Sequence, residues 1–146
     1  LSLRVERHVS NAQRIAEWLE ARSDVAKVQY AGLASSPYHE LQKKLAPKGA
    51  GAIVTFDLDV PEGTSDDDVK ARAWAFIDAL KLHSCLVNIG DVRSLVCHPA
   101  TTTHSQGTPE ANAIAGITLA TVRLSVGIES ADDLIGDLEL GFAAIS

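Results

Sequence analysis

Thr121-Val122-Arg123-Leu124-Ser125-Val126-Gly127-Ile128 alternates apolar and polar side chains without a break. Successive side chains on a strand point to opposite faces, so the spacing predicts a strand with Val122, Leu124, Val126 and Ile128 turned inward and Thr121, Arg123 and Ser125 on the other face. Gly127 and Ser130 bracket a tight turn out of it. Ser130 with Asp133 three residues on has the form of a capping box that opens a last helix burying Leu134, Ile135, Leu138 and Phe142.

The same alternation runs from Ala52 to Val60, with Val54, Phe56, Leu58 and Val60 on one face and Thr55, Asp57 and Asp59 on the other. A third strand is expected over Val25 to Tyr30. Helical spacing of Val5, Val9, Ala12, Ile15, Ala16 and Leu19 predicts a long first helix over about residues 3–22, and Val69, Ala73, Phe76, Ile77 and Leu80 predict another. Ser36-Pro37 is read as the opening of a short helix ending near Leu45, a hydroxyl cap followed by a proline whose missing N–H is harmless at the first helical position. Apolar pairs broken by polar residues between Leu82 and His104 read as short strands joined by loops, and the polar stretch around Gln106 to Asn112 reads as loop. Strands with one polar face, separated by helices and without a Gly-rich phosphate loop, imply an α+β fold: a small, mostly antiparallel sheet covered by helices on one side.

The chain has 146 residues, 46% of them hydrophobic, enough for one domain core spanning 1–146. Charges interrupt every apolar run well before the roughly 18 residues a membrane span needs. A formal charge of -6 with interspersed signs gives no basic footprint for nucleic acid or anionic lipid. The chain is therefore expected to be soluble and cytoplasmic. It contains no Met, and the periodicity of the first helix begins almost at residue 1 without a capping segment, so that helix is expected to be entered from upstream.

Several residues invite chemical readings. Asp66, Asp67 and Asp68 follow Thr64-Ser65 and precede a helical stripe, which makes them dipole-complementing residues of a first turn rather than metal ligands. Cys85, Cys97, His98 and His104 are zinc-type ligands, but their spacing matches no compact metal motif, and adjacent Cys97 and His98 point to opposite faces of a strand. Both cysteines are expected to be buried, reduced hydrophobes. His8, His39 and His83 have no evident partners and are expected at the surface or at helix ends. Arg123 stands out on physical grounds, because a guanidinium in mid-strand needs an anion or water, and its planar fork fits a carboxylate. The alternative is an internal ion pair with Asp91, Glu129 or an acid on a neighbouring strand. Asn88, in Val87-Asn88-Ile89-Gly90-Asp91, lies in a turn that could either be an ordinary Asx turn or expose amides to a ligand.

Three segments in order, Asn88-Ile89-Gly90-Asp91-Val92-Arg93-Ser94-Leu95, His98-Pro99-Ala100-Thr101-Thr102-Thr103-His104 and Val122-Arg123-Leu124-Ser125-Val126-Gly127-Ile128-Glu129, resemble the C-terminal part of the Cys/Met-metabolism pyridoxal-phosphate enzymes. The opening helix and Asp132-Asp133-Leu134-Ile135 resemble it too. Asn88 and the Thr-Thr-Thr-His ending resemble the O-acetylhomoserine sulfhydrylase branch, whose reaction, part of methionine biosynthesis, is γ-replacement of acetate by sulfide to give homocysteine. The resemblance implies that Arg123 holds the substrate α-carboxylate, that the Asn88 turn lines the same site, and that Thr103 lies near it. It implies pyridoxal phosphate in the parent enzyme and a tetrameric assembly. It also implies that the Schiff-base lysine and the phosphate site belong to a preceding cofactor domain of the same polypeptide, not to Lys43, Lys44, Lys48, Lys70 or Lys81. On that basis the chain alone is expected to be inactive. The competing expectation is a stand-alone α+β module that binds an amino acid at Arg123.

Overall fold

A computed structural model describes residues 1–146. The chain runs α1 (Ser2–Glu20), β1 (Val25–Gln29), α2 (His39–Leu45), β2 (Ile53–Leu58), α3 (Asp66–Ala79), β3 (Ser84–Cys85), β4 (Leu95–Cys97), a 3-10 turn (Pro99–Thr101), α4 (Pro109–Ile114), β5 (Thr121–Ser125) and α5 (Ala131–Ala143). The five strands form one sheet in the order β1-β2-β5-β4-β3. Every pairing is antiparallel except β3 with β4, which is parallel. The expected α+β architecture, a mostly antiparallel sheet, is the one observed.

β5 lies at the centre because its inward face is wholly apolar: Val122 and Leu124, followed by Val126 just past the strand, are fully buried with Val54, Phe56 and Leu58 of β2. Against this face pack Ala12, Ile15, Ala16 and Leu19 of α1, Ala73, Phe76 and Ile77 of α3, and Leu134, Leu138 and Phe142 of α5. Phe56, Phe76 and Phe142 form the middle of this core. Phe76 meets Phe142 edge-on at 4.8 Å and Phe56 at 5.7 Å, arrangements worth about 0.5–1.5 kcal/mol each beyond their buried area. Gly141 permits it, since a Cβ there would fall 2.7 Å from the Phe76 ring.

Local signals account for several boundaries. Ser65 caps α3, its hydroxyl accepting from Asp68 N–H, and the Asp triplet fills the first turn, with Asp67 paired to Lys70 at 2.6 Å. α1 stops at Glu20, two residues short of expectation, because Arg22 leaves the helix to pair with Asp24 at 2.7 Å and lie over Trp18 and Phe142. Ser36-Pro37 does not open α2. Ser36 instead makes a turn, its hydroxyl accepting from Tyr38 N–H and its carbonyl from His39 N–H, and the helix starts after Tyr38. The capping box at Ser130 does not form either: Ser130 is the N-cap residue, yet its side chain makes no cap hydrogen bond. Thr108 does cap a helix, α4, with Pro109 in its first turn, inside the stretch expected to be loop.

The polar face of the sheet differs most from expectation. Thr121 and Ser125 are buried, and Ile128, expected to turn inward, is exposed beyond the end of the strand. Thr121 donates to Asp57 Oδ1 at 2.5 Å, a cross-strand bond that satisfies its buried hydroxyl. No helix is long and apolar enough to cross a membrane.

Candidate functional site

Arg123 sits in the central strand, directly opposite Thr55 on β2 and Cys97 on β4. Directly opposed residues of antiparallel strands share a face, so these three side chains form a row across the polar side of the sheet. Arg123 is half-buried. It makes no ion pair and no hydrogen bond, and its buried Nε has no partner at all. Both acids considered as internal partners are engaged elsewhere: Asp91 Oδ1 accepts from Arg93 N–H at 2.9 Å, and Glu129 accepts from Ser94. The internal ion pair with either is thus excluded. The Thr55, Arg123 and Cys97 row instead presents a cation with unused donors to whatever meets this face.

The thiol beside it is not a reactive one. Burial pushes the Cys97 thiol above its usual value, outweighing the nearby Arg123 guanidinium and the Thr102 hydroxyl, which pull it down. Cys97 is buried as expected, whereas Cys85 is exposed at the sheet edge. A low-pKa nucleophile would require the reverse balance.

Asn88 lies in the exposed turn between β3 and β4. Its Oδ1 accepts from the next residue's N–H at 2.9 Å, and Gly90 adopts φ +81°, the left-handed region that favours glycine. The turn comes over the polar face beside Arg123, for Gly90 N–H reaches Ser125 Oγ at 3.4 Å, and Ser125 is two residues along the strand from Arg123, about 7 Å. Structure therefore brings Asn88 and Arg123 to the same side of the sheet. Thr103 is not tied to them. It is exposed and bonds to His104 Nδ1 at 2.8 Å, after a 3-10 turn that packs on β5.

His98 is structural. Leu119 O can only accept, so His98 Nε2 carries the hydrogen that reaches it at 2.8 Å, and Nδ1 accepts from Thr101 Oγ1 at 2.8 Å. Burial holds this imidazole below its usual pKa, and both nitrogens are spent, which removes His98 from any zinc set. No group of three His, Cys, Asp or Glu side chains is placed to hold a metal ion.

Two histidines expected at the surface are buried. His8 donates from Nδ1 to Val126 O at 2.6 Å, and His83 donates to Asp137 Oδ2 at 2.8 Å. Asp137 also accepts backbone N–H groups of Lys81, Leu82 and His83. Burial works to raise the Asp137 carboxyl, but His83 and those three N–H groups together hold it well below the ordinary carboxylate range. Nothing local in the sequence marks this pair, whose members lie 54 residues apart.

The model of the family described as Cys/Met metabolism PLP-dependent enzyme matches residues 1–143. The chain belongs to that family. Among relatives, the O-acetyl-L-homoserine sulfhydrylase of Corynebacterium glutamicum is 57% identical over 145 residues, covering 99% of this chain and 31% of that protein. The O-succinylhomoserine sulfhydrylase of Pseudomonas aeruginosa is 41% identical and is covered to 34%. A cystathionine gamma synthase from Xanthomonas oryzae pv. oryzae, solved in complex with cystathionine, superposes with a TM-score of 0.86 at 40% identity, over 99% of this chain and 35% of that one. An O-acetylhomoserine (thiol)-lyase structure from Campylobacter jejuni matches equally well, TM-score 0.86 at 39% identity over 99% of this chain and 32% of that one, and carries N'-pyridoxyl-lysine-5'-monophosphate. The chain thus spans about a third of the length of the Cys/Met-metabolism enzymes it matches.

The family depends on pyridoxal phosphate. The lysines of this chain do not suit its attachment, which calls for a desolvated amine in a pocket. Five of the six lysines are exposed, and the sixth, Lys70, is tied to Asp67. A hollow of about 690 Å³ between β1, Pro37-Tyr38 and Ile114–Gly116 does not include Arg123. What this chain contributes is an open face with one unpartnered guanidinium.

Proposed function

We propose that Arg123 receives the α-carboxylate of an amino-acid substrate in a pyridoxal-phosphate-dependent sulfhydrylase that converts O-acetylhomoserine and sulfide to homocysteine and acetate. The observation that carries this reading is the Arg123 guanidinium itself: central in the sheet, without an acid partner, with an orphaned Nε. A carboxylate entering from the polar face would meet two parallel N–H donors, a geometry that fixes orientation as well as affinity. The backbone and side-chain amide of the Asn88 turn supply further donors on the same side. Thr103 closes this side at a greater remove.

Bound elsewhere in the polypeptide, pyridoxal phosphate supplies the electron sink for the chemistry. The residues of this chain do not make its cradle, and their part is capture and orientation. Clamping the carboxylate determines which bonds of the α-carbon are aligned for reaction, the kind of positioning that converts binding into rate. We place the cofactor domain of the same polypeptide over the apolar rim of the site. Leu86, Val87, Ile89 and Val92 are exposed around the Asn88 turn, and so are Leu1 just before α1 and Leu3 and Val5 on α1, which Arg4 ties to Gly90 O. Assembly into a tetramer follows from the family reading.

The test is Arg123→Ala in the full polypeptide. Losing two charge-assisted hydrogen bonds of roughly 1.5–3 kcal/mol each predicts a KM for O-acetylhomoserine about 10²- to 10⁴-fold higher, with the pyridoxal absorbance retained. An unchanged KM would sink the proposal.

A further inference from the structure

Two stretches far apart in sequence, the Asn88–Ser94 turn and the Ser125–Glu129 exit from β5, are stitched together by a short chain of buried and half-buried hydrogen bonds. Glu129 spends both carboxylate oxygens on one residue, Oε1 accepting from Ser94 N–H at 2.7 Å and Oε2 from Ser94 Oγ at 3.0 Å. Ser94 Oγ in turn accepts from Gly127 N–H at 2.8 Å, and Ile128 N–H donates to Val92 O at 3.0 Å. Ser94 is fully buried. The approach is so close that a Cβ on Gly127 would lie 2.5 Å from both Ser94 N and Val92 O, backbone atoms that cannot step aside.

The β5 exit is held from its other side as well. Asn11 Nδ2 donates to Gly127 O at 3.0 Å and Glu129 O at 2.9 Å, and His8 donates to Val126 O. The Asn88 turn is held from α1 only by the Arg4 guanidinium, which donates to Gly90 O. The turn is exposed, and its direct bond to the strand, Gly90 N–H to Ser125 Oγ, is long at 3.4 Å. Glu129 begins the run into α5 yet is not used as a helix cap. Its charge is directed instead across the sheet to Ser94.

We infer that Glu129, acting through Ser94, is a positioning residue that sets the gap between the Asn88 turn and Arg123, and so the width of the carboxylate clamp. This rests on the reading of Arg123 as that clamp. Arg123 and Ser125 share one strand, so a fixed exit from β5 fixes the guanidinium. Ser94 ends the segment that begins at Asn88, so the same latch fixes the turn. Loosening the latch lets one wall of the site drift relative to the other without removing any group that touches the substrate.

The experiment compares two probes in the full polypeptide by titration calorimetry: L-homoserine, and 3-aminopropan-1-ol, which keeps the amine and the hydroxyl and lacks the carboxylate. The preference for homoserine reads the clamp alone. Arg123→Ala is the reference and should abolish that preference. Glu129→Gln and Ser94→Ala should each lower it by about tenfold, a fraction of the ~10²-fold that a 1 Å misplacement can cost, with affinity for the amine unchanged. The two changes together should cost no more than either alone, since they break one latch. Should Glu129→Gln not fold, Ser94→Ala, which removes a single oxygen, reads the same quantity. Full preference retained in both latch variants, or equal losses for both probes, would reduce the latch to a structural staple. Preference retained in Arg123→Ala as well would bring down the clamp reading itself.

Discussion

Replacing Arg123 by Met should stabilise the fold while removing substrate binding, and the two effects come from the same atom. A structural arginine in mid-strand would lose an ion pair on substitution, but Arg123 has none to lose. What it has is a buried Nε without a partner, the kind of group that costs about 1–3 kcal/mol to bury. Met keeps the unbranched aliphatic stem that packs between Thr55 and Cys97 and removes the buried donor. Part of that gain is offset because the half-buried guanidinium is still hydrated at its tip. The expected net change is therefore a stabilisation of about 0.5–1.5 kcal/mol. Urea unfolding of the full polypeptide, with and without L-homoserine, measures it. Without ligand the variant should unfold at higher urea. With ligand at about 100 times its Kd the wild type should gain roughly 2.7 kcal/mol and the variant almost nothing. If Arg123→Met instead destabilises the ligand-free protein by more than about 1 kcal/mol, Arg123 has a structural partner, and the argument from its unused donors fails.

Two further perturbations test the scaffold. Asp137→Asn should cost about 3 kcal/mol, because Asp137 gathers three backbone N–H groups and the buried His83 imidazole and an amide cannot accept from all of them. The Asp137 carboxyl is depressed on folding, so its contribution is fully present above the unfolded value of about 3.9 and is lost as pH falls through the folded one. The stability gap between wild type and variant should hold from pH 8 to 5 and close only below about pH 4. A gap that closes near pH 6 would place the titration on another group. His98 has the opposite charge logic: its imidazole is held neutral and its pKa is lowered on folding, so its contribution is complete above about 6.5 and is lost as pH falls below that value. Urea midpoints of the wild type should decline between pH 7 and 5 with a slope of up to about 1.4 kcal/mol per pH unit from this group, and His98→Gln should flatten that decline. An unchanged slope in the variant would show that His98 does not titrate in this range.

Where the chain's own pattern spoke, it spoke through short-range periodicity. The inward face of β5, the stripes of α1 and α3 and the Ser65 cap follow from side chains two, three or four positions apart, a range over which backbone geometry leaves little choice. The three ordered motifs likewise pointed to one family, whose model matches residues 1–143. α4 was legible too, in Thr108-Pro109, but the polar composition around it concealed a cap followed by a proline. The Ser130-Asp133 signal marks where α5 begins, although the Ser130 side chain makes no cap hydrogen bond.

The sequence by itself determined the fold class, the strand that carries Arg123 and the singling out of Arg123, because alternation and helical spacing are properties of neighbours along the chain. Only the tertiary structure decided that Arg123 has no acid to pair with, that Asp91 and Glu129 are engaged by Arg93 N–H and by Ser94, and that His83 is buried against Asp137. The Ser94–Glu129 and His83–Asp137 contacts turn on which groups meet across 35 and 54 residues of chain. A charge or a hydrogen-bond donor is satisfied by whatever lies within about 3 Å of it, and no spacing in the sequence encodes that distance.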